Sequence, residues 1–348
     1  MIAITAGNLL QTEAKALVNT VNCVGFMGKG VALQFKQAFP DNYEAYRKAC
    51  EAGEVQPGRM FIYETGRVVA PFYIINFPTK RHWRGPSRME DIDAGLAALV
   101  ADVKRLGIHS IAMPPLGCGL GGLDWNEVRP RIERAFAELP NVQVLLFPPH
   151  GAPDPKTMPV NTKPAKMTHA RALFIKLIQQ YTGMAYRLTL LEVQKLAYFL
   201  QEAGEPIRLR YEPGPYGPYA ENLNKVLQAI EGHFTRGYGD SPKPDREIEL
   251  LSGAVEKADA ALDPMSDSYR RLQHVADLID GFETPYGMEL LSSVHWVARH
   301  AQPAALDAET AIEAVHGWND RKRRMLQADH IRIAWHRLEE SGALADKP

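Results

Sequence analysis

An α/β layer fold joined to a mainly helical second half is the architecture this sequence predicts. Three observations lead to it. Strand-like and helix-like runs alternate through residues 1–150, two glycine-rich loops each stand between such a strand and such a helix, and a Pro-rich polar stretch then gives way to long amphipathic runs. At 348 residues with 45% hydrophobic composition, the chain exceeds one small core and allows two domains. The boundaries read as residues 1–150, a linker over 151–168, and a helical remainder over 169–348.

The strand-like runs cover residues 2–5, 16–21, 59–63, 68–77, 108–113 and 142–147. Helix starts show between them. Ser87-Arg88-Met89-Glu90 has the spacing of a capping box before Ile92, Leu96, Leu99, Val100 and Val103, and Asp124 with Glu127 opens a helix through Leu139. Beyond the linker, helical runs span residues 172–181, 189–203 and 222–233, with one short strand at 207–211.

Composition narrows the function. Net charge is −1, so any nucleic-acid contact must come from a local patch. The three cysteines, Cys23, Cys50 and Cys118, lack metal-ligand spacing and an even count, which argues for a reducing compartment and against a metal site. No apolar run approaches the ~20 residues of a membrane helix, and the start of the chain lacks a charged region before its apolar stretch, so no membrane partner and a cytoplasmic location are expected.

The loops Gly25-Phe26-Met27-Gly28-Lys29-Gly30 and Gly117-Cys118-Gly119-Leu120-Gly121-Gly122 carry the chemistry. Glycines let backbone amides approach an anion closely, and the helix start beyond adds the positive end of a dipole. Together they suggest a pyrophosphate pocket. The strand ending Val18-Asn19-Thr20-Val21-Asn22 brings amides that can read ribose hydroxyls. Between Thr65 and Met89 stand five basic residues, Arg67, Lys80, Arg81, Arg84 and Arg88, with no acidic one, and with His82 and Trp83 among them. Cations for phosphates and a ring for a base make Arg81, His82, Trp83 and Arg84 a DNA contact; the alternative is a solvated loop with Trp83 tucked against the core. Cys118 and Cys23 read as small residues in crowded turns rather than nucleophiles.

Gly7-Asn8-Leu9-Leu10, Val18-Asn19-Thr20-Val21-Asn22, Gly28-Lys29-Gly30-Val31-Ala32 and Pro115-Leu116-Gly117-Cys118-Gly119-Leu120-Gly121-Gly122 occur in the order found in macrodomains, and residues 1–150 resemble one. Within that superfamily they are most similar to the DarG-type DNA ADP-ribosyl glycohydrolase antitoxins, which pair Val-Asn-Thr-Val-Asn with Met-Gly-Lys-Gly and a later Pro-Thr-Lys. The resemblance implies a central mixed sheet flanked by helices, a pocket for ADP-ribose, and removal of ADP-ribose from thymine bases in DNA, expected single-stranded, with free ADP-ribose as product and no cofactor. It places Asn8, Leu9, Asn22, Gly28, Lys29, Gly30, Val31, Pro115, Gly117, Cys118, Gly119 and Leu120 around the ligand.

Asn8 departs from the aspartate that many macrodomains use to accept the adenine amino group. Lys80, in Pro78-Thr79-Lys80, matches the catalytic position, and Asn22 is expected to hold the ribose hydroxyls. A neutral lysine amine can attack the anomeric carbon; Arg81, Arg84 and desolvation are expected to make Lys80 less basic. Related lysine-using macrodomains also place an aspartate in the second loop, whereas here it reads Gly119-Leu120-Gly121-Gly122. Two other readings use the same pocket: a non-catalytic ADP-ribose reader and a hydrolase of ADP-ribosylated protein.

In the second half, Lys195-Leu196-Ala197-Tyr198-Phe199 and the turn Tyr216-Gly217-Pro218-Tyr219 resemble the SocA-like (Panacea) antitoxin domains. That resemblance implies capture of the cognate DarT toxin, with the turn as contact. The basic run Arg321-Lys322-Arg323-Arg324 reads as a solvated helix face, the alternative being a contact to nucleic acid.

Overall fold

The computed structural model describes residues 1–149, 153–184, 187–239 and 241–345. The chain divides into two compact units, Met1–Lys163 with Gly239–Ser241, and Pro164–Tyr238 with Pro242–Pro348.

The first unit runs β1 (Ile2–Ile4), β2 (Ala16–Asn22), α1 (Gly30–Ala38), α2 (Pro40–Glu51), β3 (Phe61–Glu64), β4 (Tyr73–Lys80), α3 (Met89–Arg105), β5 (Ser110–Met113), α4 (Trp125–Phe136) and β6 (Gln143–Leu146). The sheet order is β1-β6-β5-β2-β4-β3, parallel throughout except for the antiparallel β3–β4 pair. Strand alternation divides the apolar residues between two faces. Ala16, Val18, Ile75, Phe77, Ile111 and Met113 pack with Ile92, Leu96 and Leu99 of α3 and Val128 and Ile132 of α4. Leu17, Ile74 and Ala112 pack on the other face with Phe35 and Ala38 of α1, while Val21 and Met27 meet Tyr46 and Ala49 of α2. A mixed sheet between two helical layers results.

Some sequence expectations shift. The strand expected at 68–77 starts only at Tyr73: Val68 and Val69 are 94% and 66% exposed, and Thr65 accepts the turn by donating from its amide to the Phe72 carbonyl and from Oγ1 to that of Pro71. β3 pairs with β4 only as far as Asn76, so Pro78 has no ladder partner to deny on that side, and β4 continues beside β2 to Lys80. Asp124 caps α4 through the Asn126 amide, and the helix ends at Phe136 rather than Leu139. The capping box at Ser87 does not form. Arg88 is the N-cap of α3, no side chain caps it, and the Ser87 hydroxyl is buried without a partner.

The segment expected to be a linker begins in 150–152, outside the described residues. From there to Lys163 it belongs to the first unit. A 3-10 turn at Pro155–Thr157 is tied to Gln11, whose Nε2 donates to the Thr157 carbonyl, and Asn161 donates from its amide to Gln37 and from Nδ2 to Ala38, both at 2.8 Å.

The second unit comprises α5 (His169–Met184), α6 (Leu190–Glu202), β7 (Glu212–Gly214), β8 (Gly217–Tyr219), α7 (Leu223–Ile230), β9 (Thr235–Arg236), β10 (Glu249–Leu250), α8 (Ala254–Asp259), α9 (Asp267–Ile279), α10 (Pro285–Arg299), α11 (Ala308–Trp318), α12 (Asp320–Met325) and α13 (Ala328–Glu340). Helix α6 opens with a capping box between Thr189 and Glu192 and is buried on all sides from Leu190 to Leu200, except at Leu191. The strand expected at 207–211 is absent: Gln201 takes both backbone groups of Leu209, and Arg208 has φ of 57°. The ladder forms later, as the β7–β8 hairpin. No helix of the described residues is long and apolar enough to cross a membrane.

Candidate active site

Three loops meet at the carboxyl ends of parallel strands β2, β4 and β5, the edge where open α/β sheets take ligands. β2 and β4 set the register: Val21 lies opposite Pro78, then Asn22 opposite Lys80, with an irregularity between them that leaves Thr79 over. Such a bulge re-aims the residues after it. Beneath, Asn19 Nδ2 donates to Asn76 Oδ1 at 2.9 Å and Asn76 Nδ2 to Asn42 Oδ1 at 2.7 Å, a buried amide chain that ties β2, β4 and α2 together.

Asn22 is 7% exposed and spends its side chain on the loop that follows. Its Oδ1 accepts from the amides of Val24 (3.0 Å) and Phe26 (3.3 Å), its Nδ2 donates to the Phe26 carbonyl (2.6 Å), and the Tyr46 hydroxyl donates to its backbone carbonyl (2.6 Å). This amide fixes residues 23–26, and so shapes the edge of the cleft where its expected contact to ribose hydroxyls would lie. Tyr46 was missed in the sequence, where it is one tyrosine on an amphipathic helix.

Helix α1 begins at Gly30, whose φ of 65° requires glycine, and its N-cap Lys29 places no side chain on the first-turn amides. Those amides and the helix dipole make an anion site. The second glycine loop faces it: a Cβ built on Gly30 would lie 3.8 Å from Leu120 Cδ1. The loop folds on itself through Cys118 to Pro115 and Leu123 to Gly117 amide–carbonyl bonds, and the Ser87 amide holds the Gly121 carbonyl at 2.9 Å.

Lys80 spans the two sides, its Nζ donating to the Leu120 carbonyl. Burial lowers its pKa below the ordinary lysine value. The neighbouring arginines, expected to share in this, do not: Arg81 forms a two-bonded ion pair with Asp91 at 3.0 and 3.3 Å, and Arg84 lies over the Trp83 ring at 4.5 Å. Burial pushes the Cys23 and Cys118 thiols up to about 11, which disfavours the thiolate form that a nucleophile needs.

Asn8 caps the 3-10 turn Leu9–Gln11, its Oδ1 accepting from the Leu10 amide at 3.0 Å, while its Nδ2 is buried without a partner. Its unpartnered group is thus a donor, while its oxygen keeps a second lone pair with which to accept. Leu9 is buried with Phe35, Phe39 and Phe147. Trp83 is 43% exposed, not tucked against the core, and His82 and Arg84 are exposed beside it.

The turn predicted as a toxin contact is anchored from below. Gly217 and Pro218 are buried, so the surface it offers is Pro213, Pro215 and part of Tyr216 and Tyr219. Lys195, 2% exposed, donates to the Pro218 carbonyl at 2.6 Å. Lys322 is fully buried, donating to Glu289 Oε1 (3.0 Å) and Ser293 Oγ (2.8 Å), which corrects the solvated-face reading at this residue, whereas Arg323 and Arg324 are exposed as expected. Arg321 pairs with Glu289 and lies 4.5 Å over the Tyr216 ring. In the same unit Glu202, His295 and His300 approach one another, yet both His295 nitrogens are engaged, by the Tyr198 hydroxyl and the Ala343 carbonyl. A groove of about 480 Å³ between α3 and α4, lined by residues such as Leu96, Lys104 and Arg131, shares no residue with the loop cluster.

The Macro domain family model matches residues 18–132. The chain is 47% identical over 345 residues to a DNA ADP-ribosyl glycohydrolase of Thermus aquaticus, covering 99% of this chain and 94% of the relative. A DNA ADP-ribosyl transferase-DNA ADP-ribosyl glycohydrolase fusion protein of Thermosipho africanus is 35% identical over 153 residues, 40% of this chain and 39% of that one. The solved macrodomain of Mycobacterium tuberculosis DarG is 54% identical, covers 43% of this chain and 98% of its own, and superposes with a TM-score of 0.43. Near full-length identity at this level places the chain in the DarG family of DNA ADP-ribosyl glycohydrolases.

Proposed function

We propose that the cleft of the first unit hydrolyses the N-glycosidic bond between ADP-ribose and thymidine bases in DNA, with Lys80 as nucleophile. The enzyme class follows from the family; the observation that carries the residue assignment is the position of Lys80. It ends β4 opposite Asn22, is made less basic by burial, and reaches across to Leu120 in the second glycine loop. The uncapped first turn of α1 and the loop of Gly117–Leu120 supply amides for the diphosphate on either side.

The chemistry balances without a second acid. The neutral amine of Lys80 gives its lone pair to the distal anomeric carbon as the bond to the base breaks. The bonding pair leaves on the imide nitrogen, where two carbonyls delocalise it. The proton shed by the new ammonium neutralises the base. The lysine nitrogen's lone pair then opens the ribose ring to an iminium, the ring oxygen takes a proton from water, the hydroxide so formed adds to the iminium carbon, and the carbinolamine collapses to free ADP-ribose and neutral Lys80. Nothing in Gly119-Leu120-Gly121-Gly122 has to donate a proton.

The second unit binds the cognate DarT toxin, using the surface around Pro213, Pro215 and Tyr216. Support comes from the Thermosipho relative, in whose name transferase and glycohydrolase share one polypeptide. The pair then writes and erases one modification on DNA.

Incubating the intact chain with a single-stranded oligonucleotide carrying one ADP-ribosylated thymidine tests the reading. Release of ADP-ribose and of unmodified oligonucleotide is expected. Tight ADP-ribose binding with no release makes the cleft a reader, and release from modified protein alone makes it a protein hydrolase.

A further inference from the structure

Beside Lys80 stands a feature the bond-breaking step does not use. Phe26 and Trp83 are 49% and 43% exposed, and they come from different loops, one following β2 and the other β4. Their ring centroids are 5.5 Å apart with planes inclined by 33°. Leaving two large rings in water forgoes the burial that such side chains usually obtain, and exposed apolar clusters mark binding surfaces. Val24 on the same loop as Phe26 is 48% exposed, and Leu120 in the second glycine loop is 69% exposed.

The pair is held in place. Asn22 takes the Phe26 amide and gives to its carbonyl, so both backbone groups of this residue are fixed. Gly28 lies directly under the ring: a Cβ there would stand 2.4 Å from Phe26 Cε1. On the other side, His82 stacks on Trp83 at 5.5 Å and the Arg84 guanidinium sits 4.5 Å over the indole. Arg84 thereby presents a cation next to the aromatic pair, in a segment where the Asp91 carboxylate is already matched by Arg81.

We infer that Phe26 and Trp83 form a shelf for the planar nucleobase that leaves Lys80's reaction, with Arg84 meeting a flanking DNA phosphate. This rests on the glycohydrolase reading and names the part of the site that selects base-linked ADP-ribose over ADP-ribose alone. A pyrimidine attached at the anomeric carbon would find Trp83, three residues beyond Lys80, and Phe26, four residues beyond Asn22, on the loops that follow β4 and β2. Stacking suits a site that must accept any sequence context, because every base has a π face. Asn22 is in this scheme a positioning residue, acting through Phe26.

The test uses the intact chain, its Phe26→Ala and Phe26→Tyr variants, and the oligonucleotide with one ADP-ribosylated thymidine. Phe26→Ala should lower kcat/KM about 5- to 150-fold, the range of one lost base–aromatic stack. Phe26→Tyr keeps a ring and should stay within about 2-fold of the parent, and calorimetric affinity for free ADP-ribose should stay within about 2-fold for both. Unchanged kcat/KM in Phe26→Ala overturns the shelf while the parent's turnover upholds the glycohydrolase. Parallel loss of ADP-ribose affinity also overturns it, since a collapsed loop then explains the defect. A parent chain that releases nothing removes the glycohydrolase reading and the shelf with it.

Discussion

Lys80 in the first unit and Lys195 in the second are both lysines whose charge is disfavoured by burial, yet they serve opposite ends. Lys80 is half-buried at the rim of a cleft, with one carbonyl for company. Lys195 is driven further, down to about 7 by burial and by Lys322, yet it is sealed under the Pro218 carbonyl with Glu289 the compensating charge. A low lysine pKa by itself does not identify a nucleophile; access to a substrate does. The first unit leaves donors open around Lys80, whereas the second satisfies its charges internally and uses them to set a turn.

Removing Glu289 breaks that contrast most severely. Glu289→Ala leaves Lys322 and Lys195 without the carboxylate between them, and an uncompensated buried charge costs about 3–5 kcal/mol. Denaturant unfolding followed by tryptophan fluorescence should show that loss, with ADP-ribose binding kept; an unaltered midpoint would mean the network carries no weight.

The pH dependence sharpens the difference. Lys195 titrates near 7 in the folded chain against 10.5 when unfolded, so between those values the unfolded chain binds more protons and stability rises with pH. The Lys322 shift has the same sign. Stability should therefore increase by about 2 kcal/mol from pH 7 to pH 9, and Lys195→Met should flatten the slope. A slope identical in the variant places the effect elsewhere.

In the cleft, Gly121→Ala sets a Cβ 2.2 Å from the Gly117 carbonyl oxygen and 2.3 Å from Ser87 Oγ. The loop has to move, and ADP-ribose affinity should fall about 10-fold, the equivalent of ~1–2 kcal/mol of strain, as calorimetry would read. The smallest effect concerns Asn8. Asn8→Asp retains an oxygen for the Leu10 amide and exchanges the buried unpaired NH2 for a second, charged acceptor. ADP-ribose should bind about 5-fold tighter through its adenine amino group; no change would place the adenine elsewhere.

Local chemistry is what the sequence made legible. Glycines of the two loops and Asp124 as a cap each depend on neighbours within a few residues. Features set by distant partners were not readable. Lys322 looks solvated inside four consecutive basic residues, yet its ammonium is paired with Glu289 and Ser293, far off in sequence. That Asn22 also fixes the loop after it depends on the loop folding back onto its side chain. Val68 and Val69 read as strand because they are β-branched, but β4 is placed by pairing with β2 after Pro71. Ser87 has capping spacing, yet its amide goes to Gly121 and its hydroxyl to nothing.

Reductive trapping addresses Lys80 most directly. The intact chain and its Lys80→Ala variant would be mixed with the ADP-ribosylated oligonucleotide under borohydride, with release and ADP-ribose affinity followed in parallel. The expected result is an ADP-ribose adduct on the peptide that contains Lys80, loss of release in Lys80→Ala by roughly 1000-fold or more, and retained ADP-ribose binding. Continued release by Lys80→Ala, with no adduct on the parent chain, would contradict the assignment of this lysine as the nucleophile.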